Sequence, residues 1–333
     1  MLTRTLGNGF EVSPISYGAM GLSEFYGQAA PEAGSLALLE KAFDLGVRMI
    51  DTADMYGRGH NEELIGRFLT RDRGRLAEGL KIATKFGLER APDDPYKRRI
   101  NNSPAYIRQA CESSLRRLGL ERIDLYYAHR LAPEADLSAT MGTLNDLIRE
   151  GKVAHIGLCE VSAATLKAAH QLCPVTVLQS EYSLWTREVE EKLLPLCREL
   201  NIGFVAYSPL GRGFLSGKYT STDNLEATDF RRSNPRFQPG NLARNLALLP
   251  ALQKVAEELG ASPAQAALAW LLGRYEHLAA IPGTRHPQRL AENMAAAGLK
   301  LSPEQSRSLE NTFQPEAVAG LRYTPEGMKG LNA

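Results

Sequence analysis

The sequence carries almost no excess charge of either sign. It contains 39 Lys and Arg residues against 38 Asp and Glu residues, so the formal net charge is +1 at pH 7. Proteins that bind nucleic acid or an anionic membrane surface usually carry a cationic excess that attracts those partners. We therefore expect this protein to bind neither nucleic acid nor a membrane, while assembly into a homo-oligomer stays open.

Long apolar runs and patterned cysteines are missing as well. A helix that crosses a bilayer needs about 20 mainly apolar residues in succession, and no run in the sequence approaches that length. The N-terminal stretch "MLTRTLGNGF" lacks the apolar segment of a secretory signal. Cys111, Cys159, Cys173 and Cys197 show no C-x-x-C spacing, which argues against a zinc site or a disulfide frame. We expect a soluble, cytoplasmic protein with reduced thiols and no bound metal.

What the sequence does contain is a repeated alternation of β-rich and helix-like stretches. Several β-rich runs are apolar nearly throughout, which is typical of parallel strands covered on both faces. The helix-like stretches carry apolar residues at helical spacing, and Gly46, Gly79, Gly119 and Gly151 end several of them. The eight β-rich runs cover residues 15–20, 47–52, 80–86, 123–129, 153–159, 175–182, 203–210 and 277–283.

Eight β-α units in one unbroken series favour a closed (β/α)8 barrel, or TIM barrel, of the α/β class. An open doubly wound sheet would need a reversal of strand order, which a sequence cannot display, so this alternative stays open. Barrels of this size fold as single domains, and we predict one domain over residues 1–333.

Two segments stand outside the series. An Asn-Gly pair within "LTRTLGNGFEVS" predicts an N-terminal β-hairpin, which would cap the bottom of the barrel. Residues 211–246 form a long connection after strand seven that is rich in Gly, Arg and Asn. A connection of this length inside a compact domain is usually functional, so we predict a lid.

Four polar residues with complementary chemistry follow neighbouring strands. Asp51 ends strand two and Tyr56 lies in the next turn, while Lys85 and His129 end strands three and four. Active sites of such barrels lie at these strand ends. A phenol has a pKa of about 10; an adjacent ammonium lowers that pKa, and a carboxylate holds the ammonium in place. We predict a site that delivers a proton to a carbonyl oxygen, with His129 orienting that oxygen or relaying the proton.

Each of these residues also has a simpler interpretation. Asp51 and Lys85 are suitable partners for a buried structural salt bridge, and Tyr56 and His129 are also common as rim or core residues. Asp51 and Asp54 lack further ligands at a helpful spacing, so a metal site has little support. The joint placement of four such residues at neighbouring strand ends favours chemistry.

No G-x-G-x-x-G pattern opens a helix after a strand, so a Rossmann dinucleotide site is unsupported. The stretch "IPGTRHPQRLAEN" offers another anion site. Strand eight ends at Gly283, and Thr284 or a neighbour would cap a helix that carries Pro287 in its first turn. Arg285 and Arg289, four residues apart, would clamp a phosphate from one face. A plain solvated helix start is the alternative.

Several ordered motifs together resemble one known family. The stretches "DTADMYG", "IATKFG", "YYAHR", "GKVAHIGLCEV", "LQSEYSLW", "AYSPLGRGFLSGKY" and "IPGTRHPQRLAEN" closely resemble the aldo-keto reductase family. The resemblance runs from the hairpin to about residue 315, and "RRSNPRF" and "GAMGLSEFYG" look most like an NADPH-dependent branch from bacteria, plants and fungi. It implies reduction of aldehydes, ketones or quinones to alcohols, with NADPH extended across the barrel mouth. It also implies that Tyr56 is the general acid, that Lys85 and Asp51 tune it, and that His129 orients the carbonyl.

The resemblance implies a set of cofactor contacts too. Gln179 would bond the nicotinamide carboxamide and Tyr207 would stack on the ring. Arg285 and Arg289 would contact the 2′-phosphate, and such an arginine pair argues for NADPH over NADH. The other implied contacts are Gly18, Ala19, Met20, Asp51, Cys159, Glu160, Ser208, Pro209, Leu210, Gly211, Gly213, Lys218, Gly283, Thr284, Glu292 and Asn293.

One position departs from the family pattern. Most relatives carry Ser-Asn or Ser-Glu after strand five, whereas this chain has Cys159 and Glu160. A thiol is a weak hydrogen-bond donor. We therefore expect weaker positioning of the cofactor at this point but no loss of activity.

Three aromatic residues lie in stretches that lead to the predicted mouth. Phe25 and Tyr26 belong to the first loop and Trp185 follows strand six. They predict an apolar, aromatic-lined substrate pocket around Tyr56 and His129, although Tyr26 and Trp185 also suit packing beneath the long segment. The main rival function is a nucleotide-sensing regulatory subunit that binds NADPH with little catalysis; a barrel lyase or isomerase is the second.

Overall fold

The structure is a computed structural model that describes residues 2–71, 73–77, 79–91 and 98–332. Strands and helices alternate through most of these residues, as the sequence pattern predicts. The strands are, in chain order, β1 Arg4–Thr5, β2 Glu11–Val12, β3 Tyr17–Gly18, β4 Met49–Asp51, β5 Lys81–Phe86, β6 Leu88–Arg90, β7 Arg98–Ile100, β8 Ile123–Ala128, β9 Val153–Cys159, β10 Val177–Glu181, β11 Gly203–Tyr207 and β12 Leu278–Ala280. The helices are α1 Glu32–Asp44, α2 His60–Arg71, α3 Arg73–Ala77, α4 Pro104–Leu118, α5 Leu137–Arg149, α6 Ala163–Leu172, α7 Leu193–Glu199, α8 Pro239–Leu246, α9 Leu249–Glu258, α10 Pro263–Leu272, α11 Pro287–Ala295, α12 Pro303–Thr312 and α13 Pro325–Met328.

Eight of the described strands form one parallel sheet, in the order β3, β4, β5, β8, β9, β10, β11 and β12. The sheet closes because Ile15, just before β3, bridges in parallel to Ala280 at the end of β12. Ser16 N–H donates to the Ala280 carbonyl at 2.8 Å, and Ala280 N–H donates to the Pro14 carbonyl at 2.9 Å. The closed (β/α)8 barrel confirms the predicted fold class, and its strands fall within the eight predicted runs.

The N-terminal hairpin closes the bottom of the barrel. β1 pairs antiparallel with β2, and Leu6, Phe10 and Val12 are buried in one cluster with inward-facing residues of the barrel strands. Gly203 opens β11 where the hairpin arrives, and a Cβ at this position would lie only 2.5 Å from the Cβ of Leu6. The predicted capping role of the hairpin is therefore confirmed.

The helices cover the outside of the barrel, as α4 illustrates. This helix starts at Pro104, with Ser103 at the N-cap position, and is terminated by Gly119, whose φ of 65° lies in the left-handed region. Ile107 and Cys111 lie on its buried face, and burial of such an apolar stripe supplies most of a helix's stability in a protein. Among the described helices, none combines the length and the apolarity that crossing a bilayer requires.

Two features differ from the simple series of β-α units. An antiparallel hairpin of β6 and β7, with Leu88 opposite Ile100, follows β5 and was not predicted. Residues 92–97 between these strands lie outside the described residues. The segment 211–246, predicted as one long loop, contains three 3-10 turns before α8, at Gly211–Ser216, Phe230–Arg232 and Pro235–Phe237.

Candidate active site

The carboxyl ends of the barrel strands face a cavity of about 1160 Å³. Tyr56 and His129 line it near the strand ends, and Arg289 and Asn293 of α11 line it further out. The walls also come from the first loop, from the segment after β11 and from the C-terminal tail. Its volume exceeds that of a pocket for one small molecule, which is commonly about 300–1,000 Å³.

Tyr56 reaches this cavity because the chain after β4 is tied to β5. Thr52 N–H donates to the Ala83 carbonyl at 2.8 Å, and Asp54 N–H donates to the Lys85 carbonyl at 3.1 Å. Tyr56 then begins a 3-10 turn in which Gly57 has a φ of 57°, a conformation that favours glycine. This local path holds the Tyr56 side chain beside the end of β5.

The ammonium of Lys85 is the centre of the polar cluster. This side chain is completely buried, and its Nζ contacts the Asp51 carboxylate as an ion pair. The same Nζ donates to the Thr52 carbonyl at 2.7 Å and lies 3.4 Å from the phenolic oxygen of Tyr56. Gln179 Nε2 donates to the other oxygen of Asp51 at 2.8 Å. The structure therefore brings together residues from β4, β5 and β10 around one buried cation.

His129 completes the wall next to Tyr56. Its backbone N–H donates to the Phe86 carbonyl at 2.7 Å, and its ring meets the Tyr56 ring edge-on with centroids 5.9 Å apart. Nδ1 is buried and has no hydrogen-bond partner in the described residues. His129 lines the cavity, so Nε2 is the ring nitrogen that is left to face it.

The titration behaviour of these groups follows from their burial. Burial raises the pKa of Tyr56 to about 12, although the Lys85 charge opposes this rise. The Lys85 charge lowers the pKa of Tyr56, as expected, but burial outweighs this effect. Burial alone would lower the pKa of Lys85, but the Asp51 charge raises it above its usual value. Burial, followed by the charges of Lys85 and two nearby arginines, holds the pKa of His129 well below its usual range. At neutral pH the site has a protonated phenol, a charged ammonium and a neutral imidazole.

Most of the predicted cofactor residues line the cavity. They are Gly18, Met20, Asp51, Cys159, Gln179, Tyr207, Ser208, Pro209, Leu210, Gly213, Lys218, Gly283, Thr284, Arg285, Arg289, Glu292 and Asn293. Gly18 at the end of β3 and Gly283 in the chain after β12 approach closely here. A Cβ on Gly18 would lie 2.7 Å from the Ile281 carbonyl oxygen, so only glycine leaves room for this contact.

Three predicted cofactor residues do not line the cavity. Ala19 is fully buried, and its N–H donates to the Asp51 carbonyl at 2.9 Å. Gly211 is buried against the indole of Trp185. The Glu160 carboxylate is buried and accepts two hydrogen bonds from Arg322, at 3.1 and 3.0 Å, so that it holds the C-terminal tail instead.

The outer end of the cavity concentrates positive charge. Lys218, Arg285, His286 and Arg289 all line it. Burial lowers the pKa of His286, and the three cationic neighbours lower it further. Helix α11 begins at Pro287, as predicted, but His286 occupies the N-cap position and no side chain caps the first turn. These donors and charges fit the phosphates of a dinucleotide.

The two predicted phosphate arginines differ in their contacts. Arg285 donates to the carbonyls of Tyr26 and Gln28, at 2.5 and 2.6 Å, and so ties the first loop to the chain after β12. Arg289 has no carboxylate within ion-pair distance among the described residues. Thr284 accepts a bond from the His286 N–H at 3.1 Å and thus shapes the turn before α11. Neither arginine forms an ion pair among the described residues, and Arg285 differs from Arg289 in that backbone carbonyls already hold its guanidinium.

The first loop also holds the segment after β11 across the cavity. Gln28 N–H donates to the Glu226 carboxylate at 2.9 Å. Phe230 N–H donates to the Phe25 carbonyl, also at 2.9 Å. The segment therefore forms a cover over the cavity that is attached to the first loop.

The predicted substrate aromatics separate into two groups. Phe25 and Tyr26 line the cavity, whereas Trp185 is 1% exposed and stacks on Phe214 at 3.9 Å. The prediction that Trp185 faces the substrate is wrong, because the covering segment folds over its indole ring. Its alternative interpretation as a packing residue is the one that the structure supports.

Sequence reasoning missed several residues that line the cavity near His129. Arg130 follows His129 directly in "YYAHR", and Arg98 lies on β7 of the unpredicted hairpin. Tyr323 of the tail lines the cavity, and its hydroxyl lies 3.0 Å from that of Tyr207. The Arg130 position was visible as a basic residue at a strand end. The positions of Arg98 and Tyr323 depend on contacts that carry no local sequence signal.

The described residues hold no group of three or more His, Cys, Asp or Glu side chains placed to bind a metal ion. The carboxylate of Asp51, a possible metal ligand by residue type, forms an ion pair with Lys85 and accepts a hydrogen bond from Gln179. All four cysteines are buried and free.

The barrel, its C-terminal cavity and the Tyr-Lys-Asp-His cluster define the class of protein, and sequence comparison gives the family. Residues 14–312 match the model of the Aldo/keto reductase family. The chain is 42% identical over 315 residues to a probable aldo-keto reductase 1 of Glycine max, covering 95% of this chain and 89% of that protein. This protein therefore belongs to the aldo/keto reductase family, and it is an oxidoreductase.

Solved structures agree with this assignment. A glycerol dehydrogenase of Gluconobacter oxydans superposes with a TM-score of 0.85 at 28% identity, covering 94% of this chain and 96% of that one. A thermostable aldo-keto reductase, crystallised with the inhibitor epalrestat, superposes with a TM-score of 0.75 at 27% identity, covering 94% of this chain and 100% of that one.

Proposed function

We propose that this protein uses NADPH to reduce carbonyl compounds to alcohols, with Tyr56 as the proton donor. The observation that carries the proposal is the contact of Lys85 Nζ with both Asp51 and the phenolic oxygen of Tyr56 at the wall of a large cavity. A purely structural Asp-Lys pair has no need of a phenol beside it, nor of a neutral imidazole facing the same space.

The four residues divide the proton chemistry between them. Tyr56, protonated at neutral pH, gives its proton to the carbonyl oxygen and takes one back from solvent later. Lys85 stabilises the phenolate that forms, and Asp51 keeps the ammonium in place. Nε2–H of the neutral His129 donates a hydrogen bond to the carbonyl oxygen and orients it.

A nicotinamide cofactor, when bound, would supply the hydride for this reduction. On this chain, Gln179 and Tyr207 would hold its nicotinamide end, since both line the cavity next to the catalytic cluster. Lys218 and Arg289 would hold phosphate groups at the cationic end. The preference for NADPH over NADH rests on Arg289, because a 2′-phosphate offers this guanidinium a dianion and a hydroxyl does not.

A direct test uses purified protein, NADPH and 4-nitrobenzaldehyde. We expect the near-ultraviolet absorbance of the reduced cofactor to decay with wild-type protein. The Tyr56→Phe variant should lose this decay while still binding NADPH, which protein fluorescence quenching measures. Binding without decay in the wild type would instead favour a nucleotide-sensing subunit, and absence of both would contradict the whole proposal.

A further inference from the structure

Two arginines at the inner end of the cavity lack carboxylate partners. Arg98 on β7 and Arg130 after β8 both line the cavity, and neither forms an ion pair within the described ranges. Arg130 donates to the His129 carbonyl at 2.6 Å, and the Glu160 carboxylate acts on its charge without forming an ion pair with it. Arg130 is half-buried and Arg98 is exposed, so the guanidinium groups of both can meet a molecule in the cavity.

Four neighbouring arginines, unlike Arg98 and Arg130, form ion pairs with carboxylates. Arg90 pairs with Glu24 at 2.5 Å and Arg99 pairs with Glu89 at 2.6 Å, although both lie on the same hairpin as Arg98. Arg212 and Arg231, further along the cavity wall, pair with Glu181 and Asp229 at 2.8 and 2.7 Å. Among the described residues of the hairpin and of the inner cavity wall, Arg98 and Arg130 thus differ from these four paired arginines.

Arg98 lies over an aromatic ring of the first loop. Its guanidinium carbon lies 5.4 Å from the ring centroid of Phe25, and that of Arg90 lies 5.8 Å from the same centroid. Phe25 has a φ of 75°, and its carbonyl accepts the bond from Phe230 N–H. A non-glycine residue held in this conformation costs free energy, and the surrounding contacts keep it there.

The charges of Arg98 and Arg130 act at the catalytic end of the cavity. Both contribute, after burial and Lys85, to the low pKa of His129. The cations of the outer end, including Lys218 and Arg289, belong to different elements and would serve the cofactor phosphates. The inner pair is thus available to whatever molecule contacts Tyr56 and His129.

We infer that the carbonyl substrate carries an anionic group, a carboxylate or a phosphate, that Arg98 and Arg130 bind. This inference rests on the proposed function and names its substrate class. Arginine binds both oxyanions through paired N–H donors, so the chemistry of recognition is shared. The aromatic lining from Phe25 and Tyr26 then contacts the apolar part of the same molecule, which modifies the expectation of a purely apolar pocket.

The test compares two aldehydes of nearly equal shape and different charge. We would measure kcat/KM for 4-formylbenzoate and for 4-nitrobenzaldehyde with wild-type protein and with the Arg98→Gln and Arg130→Gln variants. For each protein we would divide the kcat/KM for 4-formylbenzoate by that for 4-nitrobenzaldehyde. Comparing this carboxylate-to-nitro ratio between each variant and the wild type removes the difference in intrinsic reactivity of the two aldehydes. We expect each substitution to lower the carboxylate-to-nitro ratio by about tenfold or more, as loss of a charge-assisted contact predicts.

Arg307→Gln is the control, because it removes the same charge from an exposed pair with Glu304 on α12, at a position that does not line the cavity. It should leave the ratio within about twofold of wild type, as expected for an exposed pair. Arg130→Lys should retain part of the ratio, which separates a charge contact from a packing role. If Arg130 variants do not fold, Arg98→Gln alone decides.

An unchanged ratio in Arg98→Gln would overturn this inference while leaving the reductase proposal intact. Failure of the wild type to reduce any of the aldehydes would instead overturn the reductase proposal itself. A third substrate, 4-formylphenyl phosphate, distinguishes the two anions: the better substrate relative to 4-nitrobenzaldehyde identifies the group that the arginines prefer.

Discussion

Lys85 Nζ lies 3.4 Å from the phenolic oxygen of Tyr56 while it forms a buried ion pair with Asp51. This arrangement keeps one positive charge fixed beside a phenol that burial holds protonated. The phenol can therefore donate its proton, and the Lys85 charge then stabilises the phenolate that remains. The interaction therefore favours the state that forms during proton transfer over the resting state.

The ion pair should have separable roles in stability and in chemistry. Lys85→Met leaves the Asp51 carboxylate buried without its cation, so we expect a loss of about 3–5 kcal/mol of unfolding free energy. Adding Asp51→Asn to Lys85→Met should recover much of that loss. Carbonyl reduction should fall by about 100-fold or more in both variants, because the phenolate is no longer stabilised. Denaturant titration and kcat/KM together check this, and recovery of activity in the double variant would contradict it.

The pH profile of reduction should lack a basic limb in the ordinary range. Tyr56 acts while it is protonated, and a pKa raised to about 12 keeps the proton on the phenol as the pH rises. The low pKa of His129 keeps the imidazole neutral until the pH falls well below its usual value. We expect kcat/KM for reduction to be nearly flat from about pH 6.5 to about pH 10. A decline centred near pH 8 would show that Lys85 outweighs burial.

Arg289 should decide between the two nicotinamide cofactors. Arg289→Ala removes a guanidinium that has no carboxylate partner among the described residues and lines the cationic end of the cavity. We expect the KM for NADPH to rise about tenfold or more, and that for NADH to change little, because only NADPH has the 2′-phosphate. Arg307→Ala on α12, which removes an exposed arginine, is the control. Equal effects on both cofactors would place the phosphate elsewhere.

Cys159 should bind the cofactor less tightly than a serine at the same position would. It lines the cavity, and burial raises the pKa of its thiol to about 12, so it is a neutral and weak donor. Cys159→Ser should leave kcat similar and tighten NADPH by about two- to tenfold, as one added hydrogen bond predicts. Cys159→Ala should behave like the wild type. A large loss of activity in the serine variant would refute the assigned position.

Trp185 should matter for stability and not for substrate choice. Trp185→Ala empties a site packed against Phe214 and Phe237, and we expect it to cost about 3–5 kcal/mol. Phe25→Ala, at the cavity wall, should change the KM for aldehydes instead. Thermal unfolding and a panel of aromatic and aliphatic aldehydes check both. A shift of substrate preference in a Trp185→Phe variant of normal stability would restore the original prediction.

Much of the cluster was predictable because strand ends are local features. Asp51, Lys85 and His129 each follow an apolar run, and parallel strands of a barrel necessarily bring their carboxyl ends to one rim. The hairpin below the barrel was predictable for a similar reason, since Asn8 and Gly9 carry the left-handed φ values of 53° and 74° that such a turn uses.

The sequence by itself therefore determined the series of strands and the residue types at their ends, because apolar periodicity and turn chemistry act over a few residues. The tertiary structure decided that the sheet closes into a barrel, through the bridge of Ile15 to Ala280. Only the tertiary structure decided that Trp185 lies under the covering segment, that Glu160 binds Arg322 and that Arg98 stands with Arg130 beside His129. It also decided that Tyr56 has a raised pKa. Burial and the pairing of charges are sums over neighbours from distant parts of the chain, and no local pattern encodes them.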